Sequence, residues 1–74
     1  MKGNFFYLKL GSCIVSLREK KKMSQEELAF LSGVDRTYIS RIEKGYANPT
    51  VKVIEKIATA LRVKIHSLFR IKNI

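Results

Sequence analysis

Two helix signals stand back to back between Ser24 and Gly45, and they constrain this 74-residue chain more than any other stretch of it. Ser24 is followed three residues later by Glu27. That spacing lets the Ser hydroxyl accept from the Glu27 backbone N–H while the Glu27 carboxylate reaches back to the N–H of Ser24, a capping box that starts a helix. Leu28, Ala29, Leu31 and Ser32 then give that helix one mostly apolar face. Gly33 can take the left-handed backbone that ends a helix and reverses the chain. Asp35 is placed to cap a second helix, in which Ile39 and Ile42 repeat at i, i+3, with Val34 closing over them and Gly45 ending the run. Two short helices joined by a turn of three or four residues containing Gly describe a helix-turn-helix unit.

The second helix divides its residues in a way that packing does not demand. Ile39 and Ile42 face inward, whereas Arg36, Thr37, Ser40, Arg41 and Lys44 fall on the other side with Asp35 as the only acid near them. An Arg can donate two hydrogen bonds to guanine O6 and N7 in the major groove, and a Thr can offer its hydroxyl or set its methyl beside a thymine methyl. Arg36, Thr37, Ser40 and Arg41 are therefore the expected base readers. A solvated basic face is the plain alternative, and the capped turn ahead of it is what tips the reading towards DNA.

The charge points the same way. Fifteen Lys and Arg against 6 acids give a formal +9 and a pI near 10.1, which implies an acidic partner, nucleic acid or an anionic membrane surface. The basic residues are spread over the recognition helix and loops instead of lining one amphipathic helix, so membrane binding ranks last. No apolar run approaches the roughly 20 residues that span a bilayer. Lys2 with Phe5–Leu8 is too short and lacks the cleavage site of a signal peptide. A cytoplasmic protein is expected. Cys13 and His66 are each solitary, and no phosphate loop, nucleophile–base set or paired carboxylates occur. No catalytic residue, metal or cofactor is therefore expected. A chain this short makes one domain with a small core, stable only marginally unless a partner helps.

Taken in order, residues 1–8 read as an N-terminal extension. Phe5, Phe6, Tyr7 and Leu8 could add a turn to the first helix, cover the core or pack in a dimer, with covering the core as the default. Leu10, Ile14 and Leu17 argue one amphipathic helix to about Lys21, closed by a run of lysines. Thr50 is placed to cap a fourth helix carrying Val51, Ile54, Ile57, Ala58 and Leu61. From Val63 onward there is more apolar surface than a short fifth helix can bury in its own core. The expected architecture is all-α, a compact five-helix bundle with the helix-turn-helix domain at 9–70 and a C-terminal tail at 71–74.

From Leu10 to Phe69 the chain resembles the lambdoid-repressor-like helix-turn-helix family, the Cro/CI or XRE type. Leu-Arg at 17–18, Ser-Gln-Glu-Glu-Leu-Ala at 24–29, Gly33-Val34, Ile-Ser-Arg-Ile-Glu-Lys-Gly at 39–45, Asn-Pro-Thr at 48–50 and Ile-Ala-x-Ala-Leu-x-Val at 57–63 carry the resemblance. Asp-Arg-Thr-Tyr-Ile-Ser at 35–40 looks more narrowly like the recognition helix of restriction–modification controller proteins. The resemblance implies a structural ion pair between Arg18 and Glu43. It also implies DNA-backbone contacts from Gln25, Lys44, Tyr46, Asn48, Thr50 and Lys52, with Tyr38 contacting sugar or phosphate. From the residues alone, Gln25 reads equally as an exposed residue of a helix's first turn, and Tyr38 as a half-buried aromatic. A homodimer is implied through the last two helices, with Val63, Ile65, Leu68, Phe69 and Ile71 at its interface; completing the monomer core is the plain alternative for these five. The implied function is sequence-specific regulation of transcription from a near-palindromic operator on double-stranded DNA. A second dimer on the DNA and a contact with RNA polymerase are further possibilities of the controller type. A phage-type repressor or an antitoxin is the alternative within the class, and a protein-interaction adaptor the alternative outside it. The sequence departs from the family at Lys22 and Arg62, where Gly is usual.

Overall fold

Leu10 and Ile14 lie fully buried on α1 (Asn4–Lys20) in the computed structural model, which describes residues 4–69. The helix begins before the apolar repeat does. Residues 4–8 therefore belong to α1, not to a separate extension, and of the three options they add a turn to the first helix. Covering the core is not their main part, because Phe5, Phe6 and Leu8 are exposed and only Tyr7 is half-buried. Phe6 instead stacks on Phe69, ring centroids 6.1 Å apart.

The expected caps set the next three elements. Ser24 Oγ accepts from the Glu27 N–H and the Ser24 N–H donates to Glu27 Oε1, both at 3.0 Å, at the start of α2 (Gln25–Ser32). Gly33 ends it at φ 74°. Asp35 accepts from the Thr37 N–H at 3.0 Å to open α3 (Arg36–Glu43), and Thr50 accepts from the Val53 N–H at 3.2 Å to open α4 (Val51–Leu61). The fifth element is not an α-helix. Ile65–Phe69 forms a single 3₁₀ turn, so the described residues hold four α-helices and no strand.

The core gathers Leu10 and Ile14, Leu28, Val34, Ile39 and Ile42, then Ile54, Ile57, Ala58 and Leu61 of α4, and Leu68 of the 3₁₀ turn. Two apolar residues assigned inward by periodicity point out instead: Leu31 on α2 and Val51 on α4 are 56% and 68% exposed. Both lie at an end of a short helix, where one apolar position more or less does not decide a face. Ser32 holds the inward place beside Leu28, its hydroxyl accepting from the buried Val34 N–H at 3.2 Å. The buried Val34 donor in the turn thus has a partner.

Gly11 fixes the crossing of α1 and α3. A Cβ built there would run into the carbonyl oxygens of Ile42 and Glu43, 2.5 Å from the latter. A residue without a side chain is what lets the two helices approach this closely.

Lys22 and Arg62 stand at φ 55° and 60°, in the left-handed region, at the C-terminal ends of α1 and α4. Each L side chain costs about 1 kcal/mol there that Gly would avoid. Urea unfolding of Lys22→Gly and of Arg62→Gly is expected to give stability gains of about 1 kcal/mol each; unchanged midpoints would mean that the unfolded chain's extra freedom cancels the relief.

Candidate nucleic-acid interface

α3 presents its polar residues as one strip. Arg36, Thr37 and Arg41 are exposed and Ser40 half-buried on the side opposite the buried Ile39 and Ile42. Positions 36, 37, 40, 41 and 44 recur at the spacing that keeps side chains on one helical face. The strip is cationic because both nearby acids are otherwise engaged. Asp35 is tied to the first turn as the cap. Glu43 turns inward, its side chain only 4% exposed.

Glu43 is the junction of three elements. Arg18 of α1 donates through Nε to Oε2 at 2.8 Å and through Nη2 to Oε1 at 3.1 Å. Gln25 of α2 donates through Nε2 to Oε1 at 2.8 Å. The remaining Arg18 nitrogen, Nη1, donates to the Met23 carbonyl at 2.8 Å, in the turn between α1 and α2. The hydrogen bond to Glu43 holds the Arg18 pKa above its ordinary value, against a smaller opposing effect of burial. Among the described residues no buried side-chain nitrogen or oxygen lacks a partner.

The structure brings Arg18 and Glu43 together and adds Gln25 to the pair. Resemblance had set Gln25 towards a phosphate; its amide nitrogen is aimed inward at Glu43 instead, on a half-buried side chain. Tyr38 is half-buried and packs against the core. Lys44, Asn48, Thr50 and Lys52 are exposed, as is Tyr46 at 68%. They lie on the loop after α3 or at the start of α4. Arg41 Nη2 donates to the Tyr46 carbonyl at 3.4 Å, linking the strip to that loop.

The residues expected at a dimer interface separate. Leu68 is completely buried in the monomer's own core and has no surface to offer a second copy. Val63 and Ile65 are half-buried against that core, Phe69 is 38% exposed, and Ile71 lies outside the described residues, as does the 71–74 tail. Sequence reasoning missed the Met23 carbonyl and the inward role of Gln25. It also missed Gly11, although a Gly inside an apolar helical repeat is a sign of close backbone approach.

Among the described residues, no helix is long and apolar enough to cross a membrane, and no group of three or more His, Cys, Asp or Glu is placed to hold a metal ion.

A family model described as helix-turn-helix matches residues 14–68. The control protein C.BamHI of Bacillus amyloliquefaciens is 45% identical over 62 residues, 82% of this chain and 76% of that protein. The restriction–modification controller protein C.AhdI of Aeromonas hydrophila superposes with a TM-score of 0.84 at 44% identity, over 85% of this chain and 96% of that one. The controller protein C.Esp1396I, crystallised as a tetramer with its natural 35 base-pair operator, superposes with a TM-score of 0.82 at 42% identity, covering 88% and 86%. Other matches are longer proteins, and the chain spans 40 to 42% of three HTH-type transcriptional regulators from Mycobacterium tuberculosis and Bacillus subtilis.

Removing Glu43 leaves the Arg18 guanidinium buried with the Met23 carbonyl alone. Glu43→Ala is expected to lose about 3 kcal/mol in urea unfolding. A double replacement of the pair by Met and Leu should lose less than Glu43→Ala, because no charge is stranded. An unchanged midpoint for Glu43→Ala would show that the junction does not hold the fold.

Proposed function

The chain belongs to the helix-turn-helix family, whose model matches residues 14–68, and on that premise we propose that it is a sequence-specific, double-stranded-DNA-binding transcriptional regulator of restriction–modification controller type. One observation carries the reading. The outward strip of α3 offers Arg36, Thr37, Ser40 and Arg41 to a groove, while the helix's own acid is buried against Arg18. Its similarity to C.BamHI, C.AhdI and C.Esp1396I supports the controller type.

The roles divide by position. Arg36 and Arg41 donate to guanine edges; Thr37 and Ser40 contact adjacent bases. Lys44, Tyr46, Asn48, Thr50 and Lys52 hold the sugar–phosphate backbone, which positions the protein without specifying sequence. Tyr38, half-buried against the core, contacts sugar or phosphate. Gln25 keeps Glu43 in place and offers phosphate only what that bond leaves over.

The chain works as a C2 homodimer, with Val63, Ile65 and Phe69 the members of the expected interface that retain surface. Such a dimer sets two recognition helices about 34 Å apart and reads a near-palindromic operator. The tetramer on the C.Esp1396I operator supports a second dimer here. A gene that regulates itself by occupancy in this way could be activated at low occupancy through contact with RNA polymerase and repressed at high occupancy. The protein acts by binding, in the cytoplasm, with no chemistry of its own.

Selection from random duplex DNA at about 150 mM salt tests this, since purely electrostatic binding fades steeply as salt rises. An inverted repeat with half-sites about ten base pairs apart is expected. Arg36→Ala and Arg41→Ala should each relax preference at one base position by about 1–3 kcal/mol. Lys52→Ala should weaken every duplex alike and lower the salt slope by about one. Uniform, salt-sensitive binding without enrichment would overturn the proposal in favour of a protein-interaction adaptor.

A further inference from the structure

The family model's match begins at Ile14, whereas α1 begins at Asn4, so the first turns of this helix lie ahead of that model. They nevertheless meet the end of the recognition helix. Gly45, which closes α3, is buried at φ 79°. A Cβ built on it would lie 2.6 Å from Leu8 Cδ2 and 3.1 Å from Leu8 Cα. The main chain at Gly45 therefore rests directly on Leu8. One turn further along the same stripe of α1, Gly11 seats the carbonyls of Ile42 and Glu43.

The start of the loop beyond α3 is tied back to that helix. The Gly45 N–H donates to the Ile42 carbonyl at 3.0 Å, the Tyr46 N–H to the Arg41 carbonyl at 2.9 Å, and Arg41 Nη2 to the Tyr46 carbonyl at 3.4 Å. Gly45 is the pivot between the helix and the loop. Those two main-chain hydrogen bonds set the left-handed cap, but glycine has the widest choice of backbone angles of any residue, so a neighbour packed on it adds to what holds that setting. Leu8 is in place to do that. It is 50% exposed, too little buried for the core to be its main purpose.

We propose that Leu8 is a positioning residue: pressed against Gly45, it sets the loop carrying Tyr46 and Asn48 against the DNA backbone without touching DNA itself. The inference rests on the DNA-binding function proposed for α3 and its loop. With Leu8 shortened, Gly45 gains freedom and the loop must be ordered at the moment of binding, so affinity falls for all sequences while base preference stays.

The test is a double-mutant cycle between Leu8→Ala and Asn48→Ala, read as affinity for the operator obtained by selection and for a scrambled duplex, at a temperature where circular dichroism shows every variant folded. Leu8→Ala is expected to weaken both duplexes by about fivefold, leaving their ratio unchanged, and Asn48→Ala to lose most of its effect in the Leu8→Ala background, a coupling of the size seen between neighbouring sites. Leu8→Met should restore wild-type affinity, and Leu8→Val carries the same cycle if Leu8→Ala fails to fold. Additive losses would overturn the proposal, as would full affinity in Leu8→Ala or no effect of Asn48→Ala in the wild type. Failure of the wild type to prefer the operator would instead remove the DNA-binding reading, and this inference with it.

Discussion

The carboxylate of Glu43 is the constraint on which the arrangement of the helices depends. It sits on the last residue of the recognition helix, faces inward, and accepts from α1 through Arg18 and from α2 through Gln25. A buried ion pair is weak as a source of net stability, because well-packed apolar residues often do as well. Its value here is directional. Apolar contacts allow a short helix to roll or slide by small amounts at little cost, whereas a two-pronged guanidinium–carboxylate contact fixes both distance and plane. With only eight residues in α3, a small roll would change the direction in which Arg36 and Arg41 project. The same inward turn removes a negative charge from the cationic strip of α3.

Steric exclusion complements this polar junction. Gly11 lets α1 come close enough to touch the carbonyls of Ile42 and Glu43, and Arg18, two turns on, grips the Glu43 side chain. One stripe of α1 thus holds the C-terminal end of α3 by its main chain and by its side chain. α2 holds the other end through the Gly33 turn and the buried Val34. α3 is clamped at both ends, and within its polar strip Arg41 makes a structural contact, a long one to the Tyr46 carbonyl. That clamping leaves residues 36, 37, 40 and 41 available for the base-reading role proposed for them.

What could be read from the chain beforehand was what is local. Ser24 with Glu27, Asp35, Thr50 and Gly33 each act within a few residues, so the bounds of α2, α3 and the start of α4 were legible without knowledge of the fold. The inward set of long repeats was legible too, as with Ile54, Ile57 and Leu61. Legibility failed where a decision depended on another element. Leu31 and Val51 obey the same spacing as their buried neighbours, yet at the ends of their short helices both stay exposed. The apolar surplus after Val63 and the family resemblance together point Leu68 at a partner; a tight 3₁₀ turn buries it in the monomer's own core instead. The Arg18–Glu43 contact spans 25 residues of sequence, and resemblance alone suggested it. Gln25, read towards phosphate, was drawn to the same carboxylate, which no local pattern announces.

The turn between α1 and α2 depends on the same guanidinium. Lys22 holds a left-handed backbone at φ 55°, which on its own costs about 1 kcal/mol. Residues on either side of it are engaged: Arg18 of the helix before it donates to the Met23 carbonyl just after it, and Met23 N–H returns to the Arg18 carbonyl at 3.0 Å. The side chain that orients the recognition helix therefore also braces the strained turn, and the strain can persist because its surroundings over-determine it. Glycine at 22 would relax the backbone but would remove an exposed cation immediately ahead of the α2 N-terminus, where free N–H groups already favour an anion. In a chain carrying 15 Lys and Arg against 6 acids, that side chain is consistent with a protein whose surface is built to meet phosphate and whose core is built to keep one short helix still.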